Sequence, residues 1–201
     1  MEYDKVNFLP LVMQITKSIY IFAPPEVVFR TISNVPLRLS LNPFWRVVEV
    51  RKLTPGKLSK GTRFRIRLRT SEGEVTYTSE CIEVEENRKI RSRAIEAGFE
   101  VLLSVREVAG GTLLTHTEML KNGGEKLKGI AEEILEAWLE NVKRYSELRN
   151  SRLNFLIPIV RRWLAINPRD RELLKAVLLL DLSVTIAGFA ALLIARVLFT
   201  I

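Results

Sequence analysis

Between residues 11 and 121 the chain repeats a hydrophobic period of two. The run "LVMQITKSIYIF" predicts a first strand. After an interval come "WRVVEVRKL", "TRFRIRLRT", "VTYTSECIEVEE", "RKIRSRA", "FEVLLSVREV" and "TLLTHTEML". Successive side chains of a strand point to opposite faces, so each run presents one apolar side. The turn sequences "TPGKLSKG", "SEGE" and "AGG" separate several of these runs, as an antiparallel meander requires. The interval holds "APPEVVFRTISN", which predicts a helix. Pro24 and Pro25 suit its first turn, Glu26 its positive end and Asn34 its exit. "VPLRLSLNP" predicts a second short helix ended at Pro43.

Past Gly123 and Gly124 the period changes to 3.6. Leu127, Ile130, Ile134, Leu135, Trp138, Val142 and Tyr145 form one apolar stripe, with Glu132, Glu133, Glu136, Glu140 and Lys143 off it. Strands followed by one long helix indicate an α+β fold, the helix packed on an antiparallel sheet.

The stretch "SIYIFAPPEVVFRTISNVPLRLSLNPFWRVVEVRKL" resembles the opening of the START/polyketide-cyclase/SRPBCC superfamily, and "AGGTLLTHTEM" resembles its last strand. The resemblance spans roughly Leu11 to Leu148. It implies a helix-grip fold, in which a curved antiparallel sheet wraps a long C-terminal helix around an apolar cavity. It also implies that Leu114 and His116 look inward. Alternation alone leaves the opposite phase, Leu113, Thr115, Thr117 and Met119, equally open. Relatives in the superfamily include lipid carriers, quinone-binding proteins, cyclases and chaperone co-factors, so the resemblance implies a fold more than an activity.

The apolar faces supply the candidate ligand-binding residues. These are Phe64, Ile66 and Leu68 on one strand, Tyr77 and Ser79 on the next, and Val101 and Leu103 further on. Leu114 and His116 join them from the last strand, and Ile134 and Trp138 from the helix stripe. Val75, Cys81 and Val105 share those strand faces. On the face opposite Phe64, Ile66 and Leu68 stand Arg63, Arg65, Arg67 and Arg69. They read either as a basic stripe for phosphates or as a solvated ladder paired with neighbours such as Glu80. No aromatic interleaving supports base stacking, and nucleic acid is not the expected partner.

The formal net charge is +8. That balance fits an acidic membrane surface or simple solubilisation as well as a nucleic acid. Cys81 is the only cysteine and His116 the only histidine, which excludes an internal disulfide and a Cys-rich metal site. No nucleophilic triad, phosphate loop or dinucleotide fingerprint occurs, and no cofactor or metal is expected. His116 and Glu118 share one strand face. An acid–base pair for a cyclase or hydrolase is therefore the alternative to a binding protein.

The N-terminal "MEYDKVNFLP" is not a secretory signal. At the other end, twenty residues between Lys175 and Arg196 carry a single charge, Asp181. At about 1.5 Å per residue they match ~30 Å of hydrocarbon. Roughly eleven Leu, Ile, Val and Phe at about −0.5 kcal/mol each outweigh the ~3 kcal/mol of one aspartate. The expectation is a single-pass membrane anchor, against the alternative of a buried helix. Arg161, Arg162, Arg169, Arg171 and Lys175 precede the span and only Arg196 lies near its far end, which places the N-terminal domain in the cytoplasm, at the cell membrane. Ser183, Ala187, Ala191 and Ala195 recur every four residues. They read either as a close-packing strip for a homodimer or as ordinary lipid-facing residues.

The expected organisation is thus a tail over 1–10, a helix-grip domain over 11–150, a basic amphipathic juxtamembrane segment over 151–172 and a transmembrane anchor over 173–201. The expected function is a membrane-tethered binding or carrier protein for a hydrophobic small molecule, of lipid, isoprenoid or quinone type. A protein- or RNA-interaction module using the Arg63–Arg69 strand is the further alternative.

Overall fold

A computed structural model describes residues 12–121, 125–181 and 183. Seven strands form one antiparallel sheet, β1 (Val12–Ile21), β2 (Arg46–Lys52), β3 (Arg63–Thr70), β4 (Gly73–Glu85), β5 (Lys89–Ala94), β6 (Phe99–Val108) and β7 (Gly111–Lys121). Their order is β1-β7-β6-β5-β4-β3-β2. From β2 onward the chain is a meander, each strand pairing with the next. The first strand pairs instead with the last, so the segment after β1 crosses from one sheet edge to the other.

That crossing is made by α1 (Pro25–Ser33) and α2 (Val35–Ser40). Pro25 opens α1, Glu26 sits in its first turn and Arg30 in its last, in keeping with the helix dipole. Asn34 ends α1 and caps α2, its side-chain oxygen accepting from the Leu37 N–H at 3.1 Å. The long helix α3 (Glu125–Asn150) packs against β1 and α1. This is a helix-grip-like α+β fold, with a curved seven-stranded sheet and a long C-terminal helix.

One glycine pair is dictated by the sheet. Gly110 turns β6 into β7 at φ +77°, a left-handed conformation open to glycine without strain. A Cβ on Gly111 would collide with the Ile21 carbonyl oxygen and the Tyr20 ring, so β1 lies directly against the turn.

Buried apolar side chains form two clusters. The larger joins Ile21, Val28, Ile32, Leu41, Leu103, Leu114, Trp138, Leu139 and Val142. The smaller joins Val35, Leu39, Phe64, Ile66, Leu68, Tyr77 and Ala94. The outer face of β3 carries the arginines. Arg63 reaches Glu80 at 3.0 Å, Arg65 Glu96 at 2.8 Å, Arg67 Glu49 at 3.5 Å and Arg69 Glu74 at 2.6 Å. Each has a carboxylate, the arrangement of a solvated charge ladder.

The compact unit runs past Asn150 to Ala165. A 3-10 turn at Asn154–Leu156 leads into α4 (Ile157–Leu164). Leu164 is buried in the larger cluster, and Ile157, Val160 and Trp163 pack against it. From sequence this stretch reads either as a basic juxtamembrane segment or as an extension of the domain's own core. Its amphipathic pattern is present, but the apolar side is spent on the domain, while Phe155, Ile159, Arg161 and Arg162 stay exposed.

The second unit is 166–201. Its described part is helical over 168–181 and at Ser183. Among the described residues no helix is long and apolar enough to cross a membrane. Most of the expected anchor, including Ala187, Ala191 and Ala195 of the expected dimer strip, lies outside the described residues.

Candidate functional site

A cavity of about 400 Å³ is lined by residues of both apolar clusters. Its wall is predominantly apolar. The inward phases of β3 to β7 build it, with Ile66, Leu68 and Thr70 from β3, Val75, Tyr77 and Ser79 from β4, and Ser92 and Ala94 from β5. Val101 and Leu103 come from β6, and His116, Glu118 and Leu120 from β7. Helix α3 closes the cavity with Ile130, Ile134 and Trp138, four residues apart along one stripe. Helix α2 and the residues after it add Arg38, Leu39, Asn42 and Trp45.

The cavity has a deep end and a mouth. At one end the lining residues Val75 and Ile130 are 45% and 51% exposed. At the other, Leu103 and Trp138 are 1% and 4% exposed. The register places Leu103 opposite His116, Val101 opposite Glu118 and Phe99 opposite Leu120. Moving along β7 from His116 to Leu120 is therefore moving from the deep end outward.

Most residues expected from sequence to line a cavity are brought to its wall. These are Ile66, Leu68, Tyr77, Ser79, Val101, Leu103, His116, Ile134 and Trp138. Two are not on it. Phe64 packs in the smaller cluster with the Lys52 ammonium 5.9 Å from its ring centre. Leu114 is fully buried in the larger cluster, beyond the closed end. Alternation assigns a face, but the length of strand that borders empty space depends on what packs across from it.

The polar groups on this wall have unusual surroundings. The His116 ring meets the Trp138 ring edge-on, with centres 4.9 Å apart, and neither ring nitrogen has a hydrogen-bond partner among the described residues. Burial, with a smaller effect from Arg38, pushes His116 down to about 3, so the imidazole is neutral. Burial pushes the Glu118 carboxyl up to about 7. It also pushes the Tyr77 phenol up to about 12. The Trp138 indole N–H is satisfied by the Arg38 carbonyl oxygen at 2.9 Å. Among the described residues no group of three or more His, Cys, Asp or Glu is placed to hold a metal ion.

Sequence reasoning missed the contribution of α2. Arg38 is 9% exposed and lines the cavity. Val35, Arg38 and Leu39 stand at helical spacings that share one face, and both apolar neighbours are buried. That spacing was the available signal, masked by the shortness of the helix.

Among solved structures, the crystal structure of Ara h 8.0201 superposes with a TM-score of 0.55 at 10% identity, over 68% of this chain and 98% of that one. The AHSA1-like protein from Aeromonas hydrophila gives 0.53 at 20% identity, over 67% and 92%. Protein NE0264 from Nitrosomonas europaea gives 0.52 at 14% identity, over 68% and 94%. At such identities the likeness is one of fold. No curated protein matches the sequence. The sequence does match a family over residues 13–147, the stretch that builds the whole sheet and most of α3. The chain belongs to that family, described as polyketide cyclase / dehydrase and lipid transport.

Proposed function

We propose that the protein binds an apolar or amphipathic small molecule in the cavity between sheet and α3, and holds or carries it at a membrane. One observation carries this reading. A space of about 400 Å³ with a mainly apolar wall persists inside a chain that otherwise packs its core. Voids larger than a water molecule are few in protein interiors, and the volume lies in the range of small-molecule sites. Family membership points to a hydrophobic ligand. In this reading the ligand contacts are Ile66, Leu68, Tyr77, Val101, Ile134 and Trp138.

The tether is the C-terminal segment over 173–201, with the domain on the cytoplasmic side. Its support is the composition of the twenty residues between Lys175 and Arg196. In addition, Val177, Leu178, Leu179 and Leu180 are all more than half exposed. Four consecutive apolar residues cover every side of a helix, an arrangement that suits lipid rather than water. A pocket held at the bilayer can exchange with molecules dissolved there.

Native mass spectrometry of the full chain released from lipid nanodiscs tests the binding. A retained lipid-sized adduct is expected. Absence of any adduct after incubation with fatty acids, fatty alcohols and isoprenoids would overturn the reading.

A second reading rests on Glu118. A carboxyl that titrates near neutrality inside a cavity is poised to give or take a proton. His116 does not share that poise, since burial keeps it neutral. An enzyme would therefore depend on Glu118. Turnover of a bound ligand that disappears in Glu118→Gln while binding persists would establish it.

A further inference from the structure

Six arginines on the sheet's outer face are paired with carboxylates. Arg63 and Arg93 share Glu80, Arg65 has Glu96, Arg67 has Glu49, Arg69 has Glu74 and Arg91 has Glu100. Arg38 differs from all of them. It is buried, and among the described residues its side chain makes one hydrogen bond, from Nη1 to the Ile32 carbonyl oxygen at 3.3 Å. No carboxylate pairs with it among the described residues. A guanidinium withdrawn from water without a counter-charge is strongly unfavourable, and proteins keep such groups paired.

The cavity's own carboxyl does not fill this role. Glu118 is held up by burial alone, with no relief from Arg38. Tyr77 lies in the field of both groups. Arg38, Tyr77 on β4 and His116 on β7 all stand on the cavity wall, and the Arg38 charge acts on both of the others. His116 brings two further polar atoms without partners. The mainly apolar wall thus carries, besides Glu118, one fixed positive charge, a phenol and an imidazole that can donate hydrogen bonds. Among the described residues no second lysine or arginine lines the cavity. One guanidinium matches a single negative charge, in the two-point geometry arginine offers to a carboxylate.

We propose that the ligand is an amphipathic acid, an apolar body with one anionic oxygen head such as a carboxylate. The head meets Arg38 beside Tyr77 and His116, and the body lies along the apolar wall toward Val75 and Ile130. The proposal rests on the binding reading above and names the ligand class.

The test compares dodecanoate with dodecanol, which share a chain and differ in charge. The full chain in nanodiscs is incubated with an equimolar mixture, and the bound adducts are counted by native mass spectrometry. Comparing wild type with Arg38→Met cancels the unequal partition of the two probes into the bilayer. The acid-to-alcohol ratio is expected to fall at least tenfold in the variant, with alcohol binding retained. If Arg38→Met fails to fold, Arg38→Gln, also uncharged, carries the same comparison. An unchanged ratio would overturn the assignment of the anion to Arg38. Binding of neither probe to wild type would overturn the binding reading itself, and the two failures are thereby distinct.

Discussion

The side-chain amide of Asn141 on α3 donates to the Leu164 carbonyl oxygen at the end of α4, at 2.9 Å, and also to the Leu41 carbonyl oxygen at 2.8 Å. One fully buried amide thus fastens three parts of the chain, the long helix, the segment after α2 and the segment after Asn150.

This fixes where the domain can be cut. Truncation after Asn150 removes Leu164 from the larger cluster and leaves one of the Asn141 bonds unmade. Loss of a buried leucine costs about 2–5 kcal/mol, and an unmet buried polar contact about 1–3 kcal/mol. A chain ending at Asn150 is expected to unfold at a markedly lower temperature than one ending at Ala165, measured by circular dichroism. Equal midpoints would show that α4 merely rests on the surface.

The two faces of β3 are expected to respond oppositely. Ile66 is 1% exposed and stands opposite Tyr77, whereas Arg65 is outside, bonded to Glu96 and Thr78. Ile66→Arg places a charge in the cavity wall and should abolish ligand uptake or folding. Arg65→Ile removes an exposed pair worth about 0–1 kcal/mol and should do neither. Chemical denaturation with a ligand-uptake assay reads both. Equal tolerance would reverse the assignment of faces.

Filling the cavity should separate binding from stability. Ala131 lies on its wall from α3. Ala131→Phe occupies space that is empty in the structure, so overpacking strain should be small. Ligand uptake is expected to fall at least tenfold with an unchanged or raised melting temperature. Undiminished uptake would place the ligand elsewhere.

The buried titratable groups make opposite contributions to stability with pH. Below about 4.5 Glu118 is protonated in both folded and unfolded chains; as pH rises to about 7 only the unfolded chain ionises, so stability falls across that window. His116 acts in reverse. Its stability contribution is complete above about 6.5 and is lost as pH falls toward about 3. Where the windows overlap the two slopes oppose each other. Glu118→Gln should therefore unmask a steep acid-side loss, and should exceed wild type in stability above about pH 7 by on the order of 3 kcal/mol. Urea titrations across pH measure this. Superimposable profiles would show that Glu118 is solvated.

The sequence alone determined which residues of each strand share a face, that a helix opens near Pro24 and Pro25, and that a long amphipathic helix follows the meander. These follow from the pleat of a strand, the 3.6-residue turn of a helix and the fixed φ of proline, all local to the backbone. It also carried the family resemblance between Leu11 and Leu148. The phase of β7 was open to alternation, because Leu113 and Leu114 serve equally well. Pairing with β1 and packing against α3 decided it, turning His116 and Glu118 toward the cavity. Tertiary structure alone decided that Phe64 and Leu114 pass beyond the cavity's ends, that Leu164 belongs to the core, and that Arg38 is buried. Each depends on which surfaces meet across many residues of chain, and on where packing leaves space unfilled. A periodicity records the direction of a side chain, while the depth to which it is buried is set by its neighbours.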